Sequence, residues 1–406
     1  MPRREHPDEI SVPVSGRISR AFNRYYDKIS KAYMTFGIVM VLVSVLYTIC
    51  VITFFGEYVT YENLKYLVRD ISALSVPGSG EFTKIVYNGG ESMTFAQFRG
   101  GVAACDGDNY LYYDSVGINL ISDDMNYADP VLVPSEKYLL AYDVGGTGYS
   151  IYNQLTRIVQ READGRIMSG DIGDDGSCIL VTRSRETRYV VDVFNAAFNK
   201  TMSIYKENYV LDAALSPDGT YIIVVSAVPD DTDFNCEIEI CMVGRGEPLT
   251  RLVYEHTMPL DVFSYEESFL VLCDNGIYAY NYSGASLGGT SFSGMRLKYA
   301  SDGGQSVVCA GQVNTLGTES RILAVGADGE ILCDSVLEMR VSGVYAAPDP
   351  DRILAYIKTP DAVISLDSSG GTETYNPPIN DILAVLPMNK GAVICGKSSA
   401  YLAFED

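Results

Sequence analysis

Ser216-Pro217-Asp218-Gly219-Thr220-Tyr221-Ile222-Ile223-Val224-Val225 is the stretch on which the fold turns. Pro presets one turn dihedral, Asp bonds its own backbone and Gly accepts a left-handed conformation, so Pro-Asp-Gly is a tight turn. The apolar, β-branched run after it is a strand. The same unit of turn and apolar strand recurs outward in both directions. Its turns are Asp106-Gly107, Ser135-Glu136-Lys137, Asp175-Gly176, Glu266-Glu267, Asp302-Gly303, Pro348-Asp349 and Asn389-Lys390. Further strands such as Tyr138–Tyr142 and Tyr189–Val193 fall between them. The anchors stand 30 to 48 residues apart, about 40 on average, which is the length of a four-stranded propeller blade.

The ends of the array agree with a ring. The last unit, Ile379 to Glu405, has room for three strands, and Phe82–Tyr87 is a strand left over ahead of the first complete unit. Pairing the two removes both exposed sheet edges. An all-β propeller of eight blades is therefore predicted for residues 81–406, with seven blades as the alternative. Stacked β-sandwiches contain similar strands and are not separated from it by strand pattern alone.

The turn string Ser216–Val224 resembles the repeat of TolB-type propellers and of the propeller domains of prolyl oligopeptidases. The complete layout resembles a family of uncharacterised single-pass membrane proteins from clostridia and their relatives, whose stalk has a string like Asn63-Leu64-Lys65-Tyr66-Leu67. This resemblance implies a location and a fold, and no activity. The chain has no Trp, so the tryptophan-based repeats of other propellers are absent and no quinone or other cofactor is expected.

Ahead of the propeller, Tyr33 to Phe55 is uncharged and mostly Ile, Val, Leu, Met or Phe. At about 1.5 Å per residue it spans a hydrocarbon layer of about 30 Å. A cleaved signal peptide would need a shorter apolar core and a small-x-small site, whereas the segment ends in Phe54-Phe55-Gly56-Glu57. The predicted organisation is a basic cytoplasmic tail (1–31), a transmembrane helix (32–56), a juxtamembrane helix and linker (57–80) and the exported propeller. Seven basic and four acidic side chains up to Lys31 keep the N-terminus inside. In the juxtamembrane segment, Leu64, Leu67, Val68, Ile71 and Leu74 form an apolar stripe. It docks on its own propeller or packs with another subunit as an oligomer contact.

Charge and composition exclude other classes. A net charge of -22 repels phosphate backbones, so no nucleic-acid partner is expected. Catalytic chemistry has little to stand on, because beyond the tail His256 is the only His and no Gly-x-Ser-x-Gly elbow occurs. Asp106-Gly107-Asp108-Asn109 and Asp230-Asp231-Thr232-Asp233 lack the full spacing of a calcium loop and read as solvated turns. No catalytic residue and no metal ligand is assigned. The favoured function is a membrane-anchored binding or scaffold protein with an envelope partner; the alternative is a carboxylate-based hydrolase or lyase at the propeller mouth.

Two residue sets carry sharper expectations. Arg183, Arg185 and Arg188 crowd the loop joining the second and third strands of the third blade, on the rim where propellers most often bind ligands. Arg suits bidentate carboxylate or phosphate contacts, so these three are the candidate site for an anionic partner. The competing reading pairs them with the acidic loop Ala227–Asn235 of the next blade. Cys178, Cys273, Cys309 and Cys395 follow the repeat turn at matching positions in different blades, too far apart to pair. Cys236 and Cys241 lie on opposite faces of one strand. Free, buried thiols acting as small hydrophobes are expected.

Overall fold

The computed structural model describes residues 16–55, 84–87, 93–114, 117–231, 233–314, 317–379, 381–388 and 391–403. The chain divides into two units, Met1–Arg69 and Asp70–Asp406. In the first, one helix runs Gly16–Phe55, about 60 Å long. No Pro or Gly interrupts Arg17 to Phe36, which is why the helix begins well ahead of the expected boundary at residue 32. Its segment Ile29–Ile49 has a mean hydropathy of 2.0 and is long and apolar enough to cross a membrane. Thr35 and Thr48 donate to the carbonyls of Lys31 and Ser44, both at 2.8 Å, so their hydroxyls are satisfied within the helix. The apolar stripe at 64–74, and the oligomer contact expected of it, lie outside the described residues.

The second unit is an eight-bladed β-propeller. Its sheets are four-stranded and antiparallel, and seven of them take their strands in simple sequence order. Blades one to seven span 94–124, 130–162, 167–206, 209–254, 259–291, 296–337 and 343–375. The eighth takes three strands from 382–403 and its outermost from Lys84–Val86, paired Lys84 to Tyr401, Ile85 to Ala400 and Val86 to Ser399. This is the expected ring closure; Phe82, Thr83 and the turn Asn389-Lys390 lie outside the described residues.

The core is a ring of apolar layers, one in each gap between neighbouring blades. The opening stretch shows why its strand is a continuous apolar run rather than an alternating one. Ile222 and Val224 pack toward Ile179 and Val181 of the third blade. Ile223 and Val225 pack toward Phe269 and Val271 of the fifth. A strand buried on both faces has no position to give to water.

The turn ahead of it is tied by its own side chains. Ser216 Oγ accepts from the Thr220 and Tyr221 N–H groups at 3.1 and 2.8 Å and donates to Asp218 at 2.5 Å. Asp218 accepts from the Thr220 N–H and hydroxyl at 3.0 and 2.6 Å. Gly219 takes φ +68°, the left-handed conformation that the motif predicts.

The eight described cysteines are free and buried. Cys236 belongs to the layer between blades four and five and Cys241 to that between three and four, as opposite faces require. The expectation of matching positions for the other four needs correction. Cys178 opens its strand and Cys273 ends its own, because they stand at different distances from the turn, three and seven residues past Asp175 and Glu266. They and Cys309 and Cys395 lie in four different gaps.

Candidate functional site

The loop carrying the candidate arginines is a short hairpin held by one hydroxyl. Ser184 Oγ accepts from the Glu186 and Thr187 N–H groups at 3.1 and 3.2 Å, and the Ser184 N–H reaches the Arg188 carbonyl at 3.2 Å. With its backbone occupied in this way, the loop projects Arg183, Arg185 and Arg188 outward, and all three are exposed. Arg188 lies 4.0 Å from the centroid of the Tyr209 ring and Arg183 5.9 Å from that of Tyr189. Stacking on an aromatic face orients a guanidinium while leaving its N–H edge free.

The structure keeps these arginines apart from the acidic loop of the fourth blade. Among the described residues none of the three forms an ion pair with a carboxylate. Asp230 and Asp233 instead bond to each other's backbone at 2.9 and 3.3 Å, and Asp233 faces His256 at 3.6 Å. The His256 N–H donates to Asn235 at 3.1 Å, so this histidine fastens the link between blades four and five to the acidic loop.

One further cation joins the patch. Arg166, in the link from blade two to blade three, is exposed, and its carbonyl accepts from the Arg183 N–H at 2.9 Å. In a four-stranded blade the inter-blade link and the loop joining strands two and three share a rim. Counting loops by that rule finds Arg166 from sequence; scanning for local runs of Arg does not.

A second constellation lies at the axis, where the first strands of successive blades touch around the ring. A bulge interrupts these strands at Met168, Leu211 and Leu260. The residues just after the bulges, Ser169, Asp212 and Asp261, consequently take equivalent places in blades three, four and five. Ser169 donates to Asp212 at 2.5 Å, and Asp212 and Asp261 share a hydrogen bond. Asp171 accepts the Leu215 and Ile172 N–H groups, both at 2.8 Å, and Asp302 accepts from the Tyr265 hydroxyl at 2.9 Å.

Asp171, Asp212 and Asp261 are half-buried and Asp302 is exposed, although all four are set among closely packed first strands. Burial raises every one of them, and repulsion from neighbouring carboxyls adds to it at Asp171, Asp212 and Asp261. Asp171 is pushed up to about 6. Asp212 is raised well above the usual carboxylate range, by burial first and by the neighbouring Asp261 next, and both carboxyls accept from the Val262 N–H, at 3.2 and 2.9 Å. The arrangement is a set of carboxyls with raised pKa values bridging blades. Among the described residues no three His, Cys, Asp or Glu side chains are set to hold a metal ion.

Residues 83–286, just over half of the chain, match the family of unknown function DUF5711. The chain belongs to this family. No curated protein matches this DUF5711 member in sequence. Among solved structures it is similar to BamB from Moraxella catarrhalis, with a TM-score of 0.53 at 9% identity over 79% of this chain and 98% of that one. It is also similar to Kuenenia stuttgartiensis hydrazine synthase, with a TM-score of 0.47 at 11% identity over 74% of this chain and 99% of that one. At such identities the BamB likeness speaks to the propeller fold alone. Of the resemblance inferred from the turn and stalk strings, a family of unknown function and a propeller fold are found; the comparisons give neither a clostridial family of membrane proteins nor TolB-type repeats.

Proposed function

We propose that this DUF5711 protein is a membrane-anchored scaffold whose extracytoplasmic propeller holds an anionic envelope partner on the rim formed by Arg183, Arg185, Arg188 and Arg166. The observation that carries this reading is the exposure of four guanidiniums that no carboxylate of the described residues neutralises, in a chain of net charge -22. In so acidic a protein, cations left unpaired on one rim form a local reversal of the field, which draws an acidic segment toward that place. Tyr209 and Tyr189 add pre-orientation, so less side-chain freedom is lost when a carboxylate or phosphate docks.

The apolar helix supports anchoring, and the seven basic residues on its N-terminal side support an exported propeller. Hydrolysis at the axis is the second reading, favoured by the convergence of Asp171, Asp212, Asp261 and Asp302. The binding reading is preferred to glycoside hydrolysis because Asp212 and Asp261 touch directly, whereas the paired carboxyls of glycosidases stand about 5 to 9.5 Å apart to admit substrate or water.

Replacing Arg183, Arg185 and Arg188 with Glu should abolish capture of the full chain on a polyglutamate resin and leave its melting temperature nearly unchanged. Undiminished capture, or a large loss of stability, would overturn the binding role.

A further inference from the structure

Blades four and five leave a cavity of about 120 Å³ between them. Ile238, Val271 and Cys273, all buried, give it an apolar lining, and Tyr254, Tyr278 and Tyr280 add three aromatic rings. The Tyr254 ring lies 6.4 Å from that of Tyr278, nearly parallel to it, and 6.0 Å from that of Tyr280, tilted by 44°. Tyr280 is buried, Tyr278 half-buried and Tyr254 exposed, so the rings lead from the core layer to the surface. Local bonds hold them there. The Tyr278 hydroxyl donates to Asn275 at 3.2 Å, and Asn275 donates to the Thr257 hydroxyl at 3.0 Å. A Cβ on Gly276 would stand 2.7 Å from the Tyr278 hydroxyl, so glycine at that position is what lets the ring lie where it does.

The charges that border these rings are negative. Asp274 directly follows Cys273 and accepts from the Met258 N–H at 3.0 Å, Glu255 directly follows Tyr254, and both carboxylates are exposed. The one cation of the strand Pro248–Tyr254 is Arg251. It stands three residues from Tyr254, hence on the opposite face, where Glu239 holds it. His256, the basic side chain of the link between the blades, faces Asp233 at 3.6 Å.

We propose that this cavity binds a quaternary ammonium group of the choline type. The face of a tyrosine ring carries the negative part of its quadrupole and attracts a cation, most strongly where water is excluded. Size agrees: a cavity of about 150 Å³ holds benzene, so this one takes a compact head of about five heavy atoms. A primary ammonium would bring three N–H donors, each in need of an acceptor. The lining has little to offer them. The Thr257 hydroxyl already accepts from Asn275 and donates to the Glu255 carbonyl at 3.1 Å, and the Tyr278 proton is given to Asn275. Buried donors left without acceptors are unfavourable. A quaternary nitrogen has none, and its methyl groups suit Ile238 and Val271, while Asp274 and Glu255 supply the opposite charge from the edge.

The site is independent of the arginine rim. Blade four pairs Tyr209 with Ala227, Ala227 with Cys236 and Cys236 with Tyr254. The row that starts at Tyr209, on which Arg188 stacks, therefore ends at the cavity three strand spacings away, about 14 Å. Over that distance the two places take ligands of opposite charge separately, and loss of either leaves the other to be measured.

The test is equilibrium dialysis of the folded, full-length protein against radiolabelled choline. Saturable uptake of a single choline per chain, displaced by tetramethylammonium, is expected. Dimethylbutanol, the neutral carbon isostere of choline, keeps the shape without the charge, and butylammonium keeps the charge but carries N–H donors. Each should compete more weakly than choline, by about tenfold. Tyr254→Leu, an apolar replacement at an exposed position, should weaken choline by about tenfold as well, and Arg183→Glu should leave its binding unchanged. Absence of saturable uptake, equal competition by either analogue, or unchanged affinity in Tyr254→Leu would overturn the proposal. Because competition on the wild-type protein decides the matter alone, a poorly folding variant does not obscure it.

Discussion

A Cβ atom on Gly219 would stand 2.8 Å from Ser177 Oγ and 3.1 Å from Asp175 Oδ2. The repeat turn of blade four thus rests directly on that of blade three, where Asp175 holds the Ser177 N–H and hydroxyl at 2.8 and 2.5 Å. The motif from which the fold was read serves twice, closing its own hairpin and seating the neighbouring blade. Gly219→Ala should lower stability by roughly 1 to 3 kcal/mol, from the left-handed φ and the crowding together. Chemical denaturation measures it; an unchanged midpoint would show that the turn has slack.

Charges join the same two blades at the outer rim. Glu239, only 2% exposed, takes Lys206 of blade three on one oxygen and Arg251 on the other, the latter at 2.5 Å. Glu237 receives Asn208 at 3.1 Å and faces Arg251 at 3.6 Å. Burial lowers the Lys206 ammonium, so that charge depends on Glu239 for its place. Glu239→Gln should destabilise the propeller by about 2 to 4 kcal/mol, the usual penalty for an abandoned buried partner. Adding Lys206→Met should restore most of it, and equal losses in single and double variants would argue against the pairing.

Topology is open to a direct measurement. If the basic side of the Gly16–Phe55 helix stays in the cytoplasm, protease added to intact protoplasts digests the propeller and spares the first 31 residues. Protection of the large domain would reverse the orientation.

The fold was legible because its signals are local. A Pro-Asp-Gly turn and the apolar run after it report on their own ten residues, and repetition at about 40 residues does the rest. The axial carboxyls were not legible in the same way. Asp212 and Asp261 lie 49 residues apart and meet only because a bulge falls at the same place in two successive first strands. Ser169, in the third such strand, has the same offset, so aligning the repeats on the first strand rather than on the turn exposes the set.

The axial carboxyls give stability an inverted dependence on pH. An aspartate in an ordinary ion pair has its pKa depressed on folding and destabilises the protein when acid protonates it. Asp171 is the opposite case. Burial, with Asp212 and Asp302 nearby, pushes it up to about 6 from 3.8, although the Leu215 and Ile172 N–H groups partly hold its charge. Other groups facing the cluster give it no cation. Tyr142, Tyr265 and Tyr282 are all raised by burial, with added repulsion from the axial carboxyls. The folded state therefore binds protons more readily than the unfolded chain. Its advantage is fully present below pH 3.8 and is lost as pH rises through about 6. Between pH 5 and 8 the wild-type protein should lose stability. Asp171→Asn keeps an acceptor for only one of the two N–H groups, which bond separate oxygens of Asp171, so its stability is lower at both pH values. It should nonetheless reduce the pH-dependent loss by about 1 to 2 kcal/mol, allowing for water in the channel. Urea midpoints at the two pH values for both proteins decide it: parallel changes would remove Asp171 from the account, and a steeper change in the variant would reverse its sign.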